Sequence, residues 1–178
     1  MKQSEAVKRL SHFDQQGRYV FSTRDMARVF SGESSRSREA TLKRLSEAGI
    51  LERPSKGVYV YALSRHKGPD TLELIARTLR RGAYNYVSLE SSLSEYGVIS
   101  QVPVGRLTVM TTGRKGEYRT PYGVIEFTHT RRGVSDILAS TQMRQRPLRV
   151  ATPNTALRDI KRVGRNTHLI DERALHDD

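Results

Sequence analysis

Ser34-Ser35-Arg36-Ser37-Arg38-Glu39-Ala40-Thr41-Leu42-Lys43-Arg44-Leu45-Ser46-Glu47-Ala48-Gly49 is the stretch on which the fold turns. It is followed by Ile50-Leu51-Glu52-Arg53 and, after Pro54-Ser55-Lys56, by Gly57-Val58-Tyr59-Val60-Tyr61. Ser34 or Ser35 can cap a helix, Leu42, Leu45 and Ala48 recur on one helical face, and Gly49 stands where a left-handed C-terminal residue is wanted. The two runs that follow are β-prone, and Pro54-Ser55-Lys56-Gly57 between them is a turn. A helix closed by a hairpin is the second half of a winged helix-turn-helix, so two further helices should precede it.

The residues before it fit. Gln3 to Ser11 carries Ala6, Val7 and Leu10 at helical spacing, and Tyr19-Val20-Phe21 is a short extended run. Ser22 then caps a second helix with Asp25 three residues on, and Met26, Val29 and Phe30 form its buried stripe. Ser31-Gly32-Glu33 breaks the chain ahead of the third helix. Residues 1–66 therefore read as a winged helix-turn-helix DNA-binding domain, ending in the polar linker Ser64-Arg65-His66-Lys67-Gly68-Pro69.

Residues 67–178 read as a second, small α+β domain, which makes the fold class α+β overall. Asp70 with Glu73 opens a helix carrying Leu72, Ile75, Ala76 and Leu79, and Gly82 ends it. Ser88 to Tyr96 is another helix, closed by Gly97. Arg106 to Thr112 and Tyr122 to Thr130 are expected to pair antiparallel about the turn Gly113 to Gly116, as a hairpin or small sheet. Thr152-Pro153 opens a last helix with Pro at its first position and Ala156, Leu157 and Ile160 inward, and Asp171 to Leu175 adds a final turn.

The chain has 178 residues and a formal net charge of +12, which favours a polyanionic partner, nucleic acid first among them. It contains no cysteine, so disulfides, thiolate nucleophiles and Cys-type zinc sites are excluded. There is no apolar run long enough to cross a bilayer and no apolar leader after Met1, which leads us to expect a cytoplasmic protein with no membrane partner.

The candidate DNA contacts lie on the third helix and the hairpin. Ser34, Ser35, Arg36, Ser37 and Arg38 form the first turn, with Lys43 and Arg44 further along. Arg forks suit base edges, and small hydroxyls with free helix N–H groups suit phosphates. Arg53 and Lys56 in the wing would reach phosphate or the minor groove; a solvated turn accounts for them as well. In the second domain, Arg144 to Arg165 holds seven cations against Asp159 alone. Arg158, Lys161, Arg162 and Arg165 follow i, i+3, i+4, i+7 on the last helix, which offers a second basic surface or an ordinary solvated face.

Enzyme signatures are absent. His12, His66, His129, His168 and His176 make no HExxH pair, and no GxSxG, Walker or GxGxxG loop occurs. Gly113-Arg114-Lys115-Gly116 has the GxxG form used by KH domains on RNA, but here it joins two strands, so a β-turn reads better. We expect no catalysis, no metal and no cofactor.

Several stretches together resemble the AbiEi antitoxin family: Leu45 to Leu51 with Gly57-Val58-Tyr59, then Tyr86-Val87-Ser88-Leu89-Glu90-Ser91-Ser92-Leu93-Ser94-Glu95-Tyr96-Gly97-Val98-Ile99. Leu107 to Thr112, Gly123 to His129, Ala151-Thr152-Pro153 and Ala156-Leu157-Arg158-Asp159 continue it. The resemblance implies the antitoxin of a bacterial type IV toxin-antitoxin operon, linked to abortive infection and phage defence. It further implies repression through inverted repeats in the operon's own promoter and a nucleotidyltransferase-like toxin as functional partner. Two rival readings remain open. In one the second domain grips a toxin directly through its hairpin and Tyr84, Tyr86 and Tyr96; in the other its basic helix binds RNA.

Overall fold

A computed structural model describes residues 1–100 and 104–175; His176 lies outside them. Among these residues the architecture is mixed α+β with seven α-helices and two sheets. Contacts divide the chain into two compact units, Met1–Leu79 and Arg80–Asp178.

In the first unit, α1 (Gln3–Gln15) buries Ala6 and Leu10, and β1 (Val20–Ser22) leads straight into α2 (Thr23–Val29). That junction is a complete capping box. Ser22 Oγ accepts from the Asp25 N–H at 3.1 Å, and the Asp25 carboxylate accepts from the Ser22 N–H at 2.8 Å. Asp25 also takes the Arg18 guanidinium at 2.7 Å, so this buried acid is neutralised where it sits. Met26, Val29 and Phe30 are buried as expected.

Gly32, at φ 93°, turns the chain into α3 (Ser35–Glu47), capped by Ser34, with Thr41, Leu42 and Leu45 buried. Ala48 is exposed rather than inward, because it is the C-cap residue and the helix has already ended there. β2 (Leu51–Ser55) and β3 (Val58–Tyr61) make the expected hairpin, with an irregular register between Glu52 and Ser55 that accommodates Pro54. β1 adds itself to the hairpin, giving a three-stranded sheet in the order β1-β3-β2.

The first unit does not stop at residue 66. α4 (Thr71–Leu79) packs on β1 and β3, and Tyr19 and Thr71 share a buried hydrogen bond of 2.8 Å. The polar, Gly- and Pro-containing stretch before α4 reads as a linker, yet Ile75 and Ala76 are wholly buried within this unit.

The second unit is a six-stranded mixed sheet. Its strands are β4 (Asn85–Val87), β5 (Arg106–Thr111), β6 (Gly116–Thr120), β7 (Gly123–His129), β8 (Thr141–Gln142) and β9 (Arg149–Ala151), in the order β6-β7-β5-β4-β9-β8. α5 (Leu89–Glu95), α6 (Val134–Ser140) and α7 (Pro153–Val163) supply Leu89, Leu93, Ile137, Ala156 and Ile160 to a core with Tyr86, Met110 and Ala151 of the sheet. Two short 3₁₀ turns, Thr167–Leu169 and Glu172–Leu175, follow.

The expected antiparallel pairing is overturned here. β5 and β7 pair parallel, Arg106 opposite Val124 through Thr111 opposite His129. The reason is β6, an edge strand of alternating half-buried and exposed residues that takes the return leg antiparallel to β7. The chain turns back at Thr120–Gly123 to lay β7 between β6 and β5, with Gly123 at φ 133°.

A buried polar network ties this unit together. Asp159, 1% exposed, accepts from Tyr86 Oη at 3.0 Å, Ser88 Oγ at 2.8 Å and the Arg132 guanidinium at 3.0 Å. Asp159→Ala would strand the buried Arg132 and Tyr86 polar groups. We expect unit 2 to lose about 3 kcal/mol, read by chemical denaturation; a loss below about 1 kcal/mol would mean the pair behaves as a surface ion pair.

Candidate nucleic-acid interface

α3 is held at its N-terminal end by an acid that sequence reading treated only as part of a break. Glu33 Oε1 accepts from Ser37 Oγ at 3.2 Å, Thr41 Oγ1 at 3.0 Å and the Met1 ammonium at 2.7 Å. Burial works to raise its pKa, but the ammonium and the two hydroxyls prevail and hold the carboxyl below its ordinary value. The signal was present as hydroxyls at i+4 and i+8 from Glu33, one helical stripe.

With Thr41, Leu42 and Leu45 turned inward, a step of about 100° per residue puts Arg36 and Lys43 on the opposite, outward line of α3. Both are exposed. Arg36 makes no ion pair among the described residues, and Lys43 has only Glu47 at 3.9 Å, a pair so exposed that it hardly restrains the ammonium. Arg38 is half-buried and donates to the Glu33 carbonyl at 3.4 Å. Arg44 donates to the Met1 carbonyl at 2.5 Å. Ser34 and Ser37 serve the cap and Glu33, leaving Ser35 exposed at the first helical position.

A cleft of about 590 Å³ runs between α3 and the β2–β3 hairpin, with Arg38, Lys43, Arg53 and Lys56 against Glu39 and Glu47 on its walls. The hairpin tip is anchored by the Thr23 N–H, which donates to the Gly57 carbonyl at 3.0 Å. Gly57 sits at φ 80°, so Lys56 is presented by a tight turn. The Arg53 guanidinium lies 5.8 Å from the Tyr59 ring centroid. The structure thus brings Arg38, Lys43, Arg53 and Lys56 to one cleft, while Arg36 is not among its lining residues and stands exposed on α3.

The basic stripe of α7 is not assembled. α7 ends at Val163 with Gly164 as its left-handed cap, so Arg165 falls beyond the helix and enters an ion cluster with Glu90, at 2.9 Å, and Glu126, while Arg158 faces Asp136 at 3.6 Å. Only Lys161 and Arg162 of the four remain exposed and without an ion pair among the described residues. Arg146 pairs with Glu95 at 2.8 Å, Arg149 donates to Thr141, and the Arg144 guanidinium lies over the Tyr96 ring. Of the tyrosines proposed as a contact surface, Tyr86 is fully buried, Tyr96 is half-buried and donates to the Ala151 carbonyl, and only Tyr84 is exposed.

Residues 8–62 match the family described as "Transcriptional regulator, AbiEi antitoxin". The match to the AbiEi antitoxin family takes in β1, α2, α3 and the hairpin, the elements that carry the site. The fold is similar to the crystal structure of the RV2827C protein from Mycobacterium tuberculosis, with a TM-score of 0.61 at 14% identity. That similarity covers 90% of this chain and 61% of the other, so the chain spans about three fifths of that protein's length. No curated protein matches the sequence. Among the described residues no group of three or more His, Cys, Asp or Glu side chains is placed to hold a metal, and no helix is long and apolar enough to cross a membrane.

The Glu90 cluster yields a pH prediction. Burial would raise the Glu90 carboxyl, but Arg165 and Asn166 hold it below its ordinary value. A depressed folded-state pKa gives stability present above the unfolded value, near ~4.3, and lost as pH falls through the folded one. Wild type should therefore lose more stability than Glu90→Gln on acidification below about pH 4.5, followed by thermal melts; parallel pH profiles would contradict it.

Proposed function

We propose that the first unit is a winged helix-turn-helix that sets α3 in the major groove of double-stranded DNA with the β2–β3 hairpin as its wing. The protein would act in the cytoplasm as repressor of its own operon through inverted repeats in the promoter. As the antitoxin of a type IV pair, it would answer a nucleotidyltransferase-like toxin. The observation that carries the reading is the outward line of α3: Arg36 and Lys43 stand exposed on a helix whose opposite face is locked in the core. The same segment matches a transcriptional-regulator family. The coarser role, an AbiEi-type antitoxin regulator, is what that match supports.

In the proposed mode Arg36, in the first turn, reads a base edge, while Lys43, Lys56 and Arg53 neutralise phosphates. Ser35 and the free N–H groups of the first turn receive a phosphate oxygen. Glu33 does not oppose this, because the Met1 ammonium already compensates its charge. Arg38 and Arg44, tied to the Glu33 and Met1 carbonyls, have a positioning role and not one of direct readout.

The test is fluorescence anisotropy on the promoter duplex and a scrambled duplex at two salt concentrations. Arg36→Ala should weaken promoter binding by at least about fivefold while scarcely changing scrambled binding. Lys43→Ala and Lys56→Ala should weaken both and each flatten the log–log salt slope by about 0.9. Unchanged promoter affinity in the Arg36→Ala, Lys43→Ala double variant, with an intact circular-dichroism spectrum, would remove α3 as the recognition helix.

A further inference from the structure

The second unit has a basic rim that α7 does not contribute to. Three segments meet at one end of its sheet: residues 80–85 leading into β4, residues 112–115 between β5 and β6, and residues 129–131 at the end of β7. The Tyr84 N–H donates to Thr112 Oγ1 at 2.9 Å, the Thr112 N–H donates back to the Tyr84 carbonyl at 3.0 Å, and the Thr130 N–H donates to the Thr111 carbonyl at 2.8 Å. With neighbouring strands about 4.8 Å apart, the rim is roughly 10 Å across. None of the three segments contains an Asp or Glu, and together they hold Arg80, Arg81, Arg114, Lys115, His129 and Arg131.

The rim is built and rigid. Arg80, 8% exposed, donates through Nε to the Arg114 carbonyl at 2.7 Å and through Nη2 to Tyr118 Oη at 2.9 Å, and its guanidinium lies 4.3 Å from the Phe127 ring centroid. Gly113 lies so close to this arginine and Ala83 that an added Cβ would come within 3.2 Å of both, so the turn rests directly on the approach to β4. His129 Nδ1 stands 2.8 Å from the Gly113 carbonyl, which can only accept, so Nδ1–H donates and the ring is tied to the turn. Tyr118 reports the local potential: burial would raise its phenol, yet Arg80 and Arg114 draw it below its ordinary value.

Above this base Lys115 and Arg131 are exposed and make no ion pair among the described residues, Arg114 is exposed beside them, and Tyr84 presents 44% of its surface. An exposed aromatic ring on a rim whose three segments carry cations and no acid is an arrangement suited to stacking a base while neutralising its phosphates. We propose that this rim, Tyr84 with Arg114, Lys115 and Arg131, binds single-stranded nucleic acid, separately from the α3 surface. Tyr84 supplies the stacking face, the cations track the backbone, and the Arg80 platform holds the turn in place. A duplex keeps its bases stacked on one another and gives Tyr84 nothing to stack upon.

The experiment uses the full chain with labelled single strands of about 15 nucleotides, RNA in one arm and DNA in another, and a duplex without operator as the third. Tyr84→Ala should weaken single-strand binding at least about fivefold, and Tyr84→Phe should retain it. The Arg114→Ala, Lys115→Ala pair should flatten the salt slope by about 1.4. Arg36→Ala with Lys43→Ala, which tests the duplex reading, should leave single-strand binding unchanged. Preference between the RNA and DNA arms identifies the source and supports the proposal either way. Absence of single-strand binding, or binding lost with the α3 variants and untouched by the rim variants, would overturn it. So would rim variants that weaken duplex binding alone.

Discussion

The second unit hangs on a single carboxylate. Asp159 is on α7, and its partners come from β4, from the residue after it and from the segment ahead of α6. A charged group buried to that degree is tolerable only when nearly every lone pair is matched, so three stretches distant in sequence must converge at once. The effect spreads outward. Arg132 uses its other amine on Asp136 at 2.8 Å, and Asp136 in turn accepts from Ser140 and faces Arg158. One buried acid thereby sets the seat of α7, the start of α6 and the fate of a surface arginine. It also links two of the stretches that resemble the AbiEi family, Tyr86 to Ile99 and Ala156 to Asp159, which lie some seventy residues apart in sequence.

The same logic separates cations that build the protein from cations that face outward. In the second unit arginines are drawn to Glu90, Glu95, Glu117, Glu126, Asp136 and Asp159. In α3 the partition follows the helix wheel: Arg38 and Arg44 turn toward backbone carbonyls at the helix flank, whereas Arg36 and Lys43, seven residues apart, share the outward line. Guanidinium forks that satisfy carbonyls and carboxylates inside the fold stabilise it, and their charge is no longer offered to a phosphate.

Much of the first unit was legible because its signals are local. Ser22 with Asp25, Ser34 before a periodic apolar face, Gly49 and the Lys56-Gly57 turn each act within a few residues, and each stands where local chemistry puts it. What escaped were relations between distant residues. β1 joins the hairpin sheet, α4 buries Ile75 and Ala76 in the first unit, and Glu33 reaches the Met1 ammonium. In the second unit β6 was passed over between the turn at Gly113 to Gly116 and the run from Tyr122, because Gly116-Glu117-Tyr118-Arg119-Thr120 is a polar edge strand with only one face against the sheet. Missing it reversed the relation of β5 to β7. α6 went unseen because only Ile137 of its seven residues is buried, too little to make an apolar stripe.

Net charge alone could not have found either candidate surface. Residues 1–66 carry 13 Lys and Arg against 7 acids and residues 67–178 carry 18 against 12, an excess of six in each case. At physiological ionic strength a charge is felt over about 8 Å, so a polyanion responds to the cations within one or two side chains of it and not to a domain's total. In the cationic stretch 144–165 three of the seven cations, Arg146, Arg158 and Arg165, are taken by Glu90, Glu95, Glu126 and Asp136 brought from elsewhere in the chain. The rim at Tyr84 gathers its cations from three short segments, none of them conspicuous in sequence and none containing an acid. Folding redistributes charge by contact, and the surfaces suited to nucleic acid are those where cations converge after the acids have been assigned elsewhere.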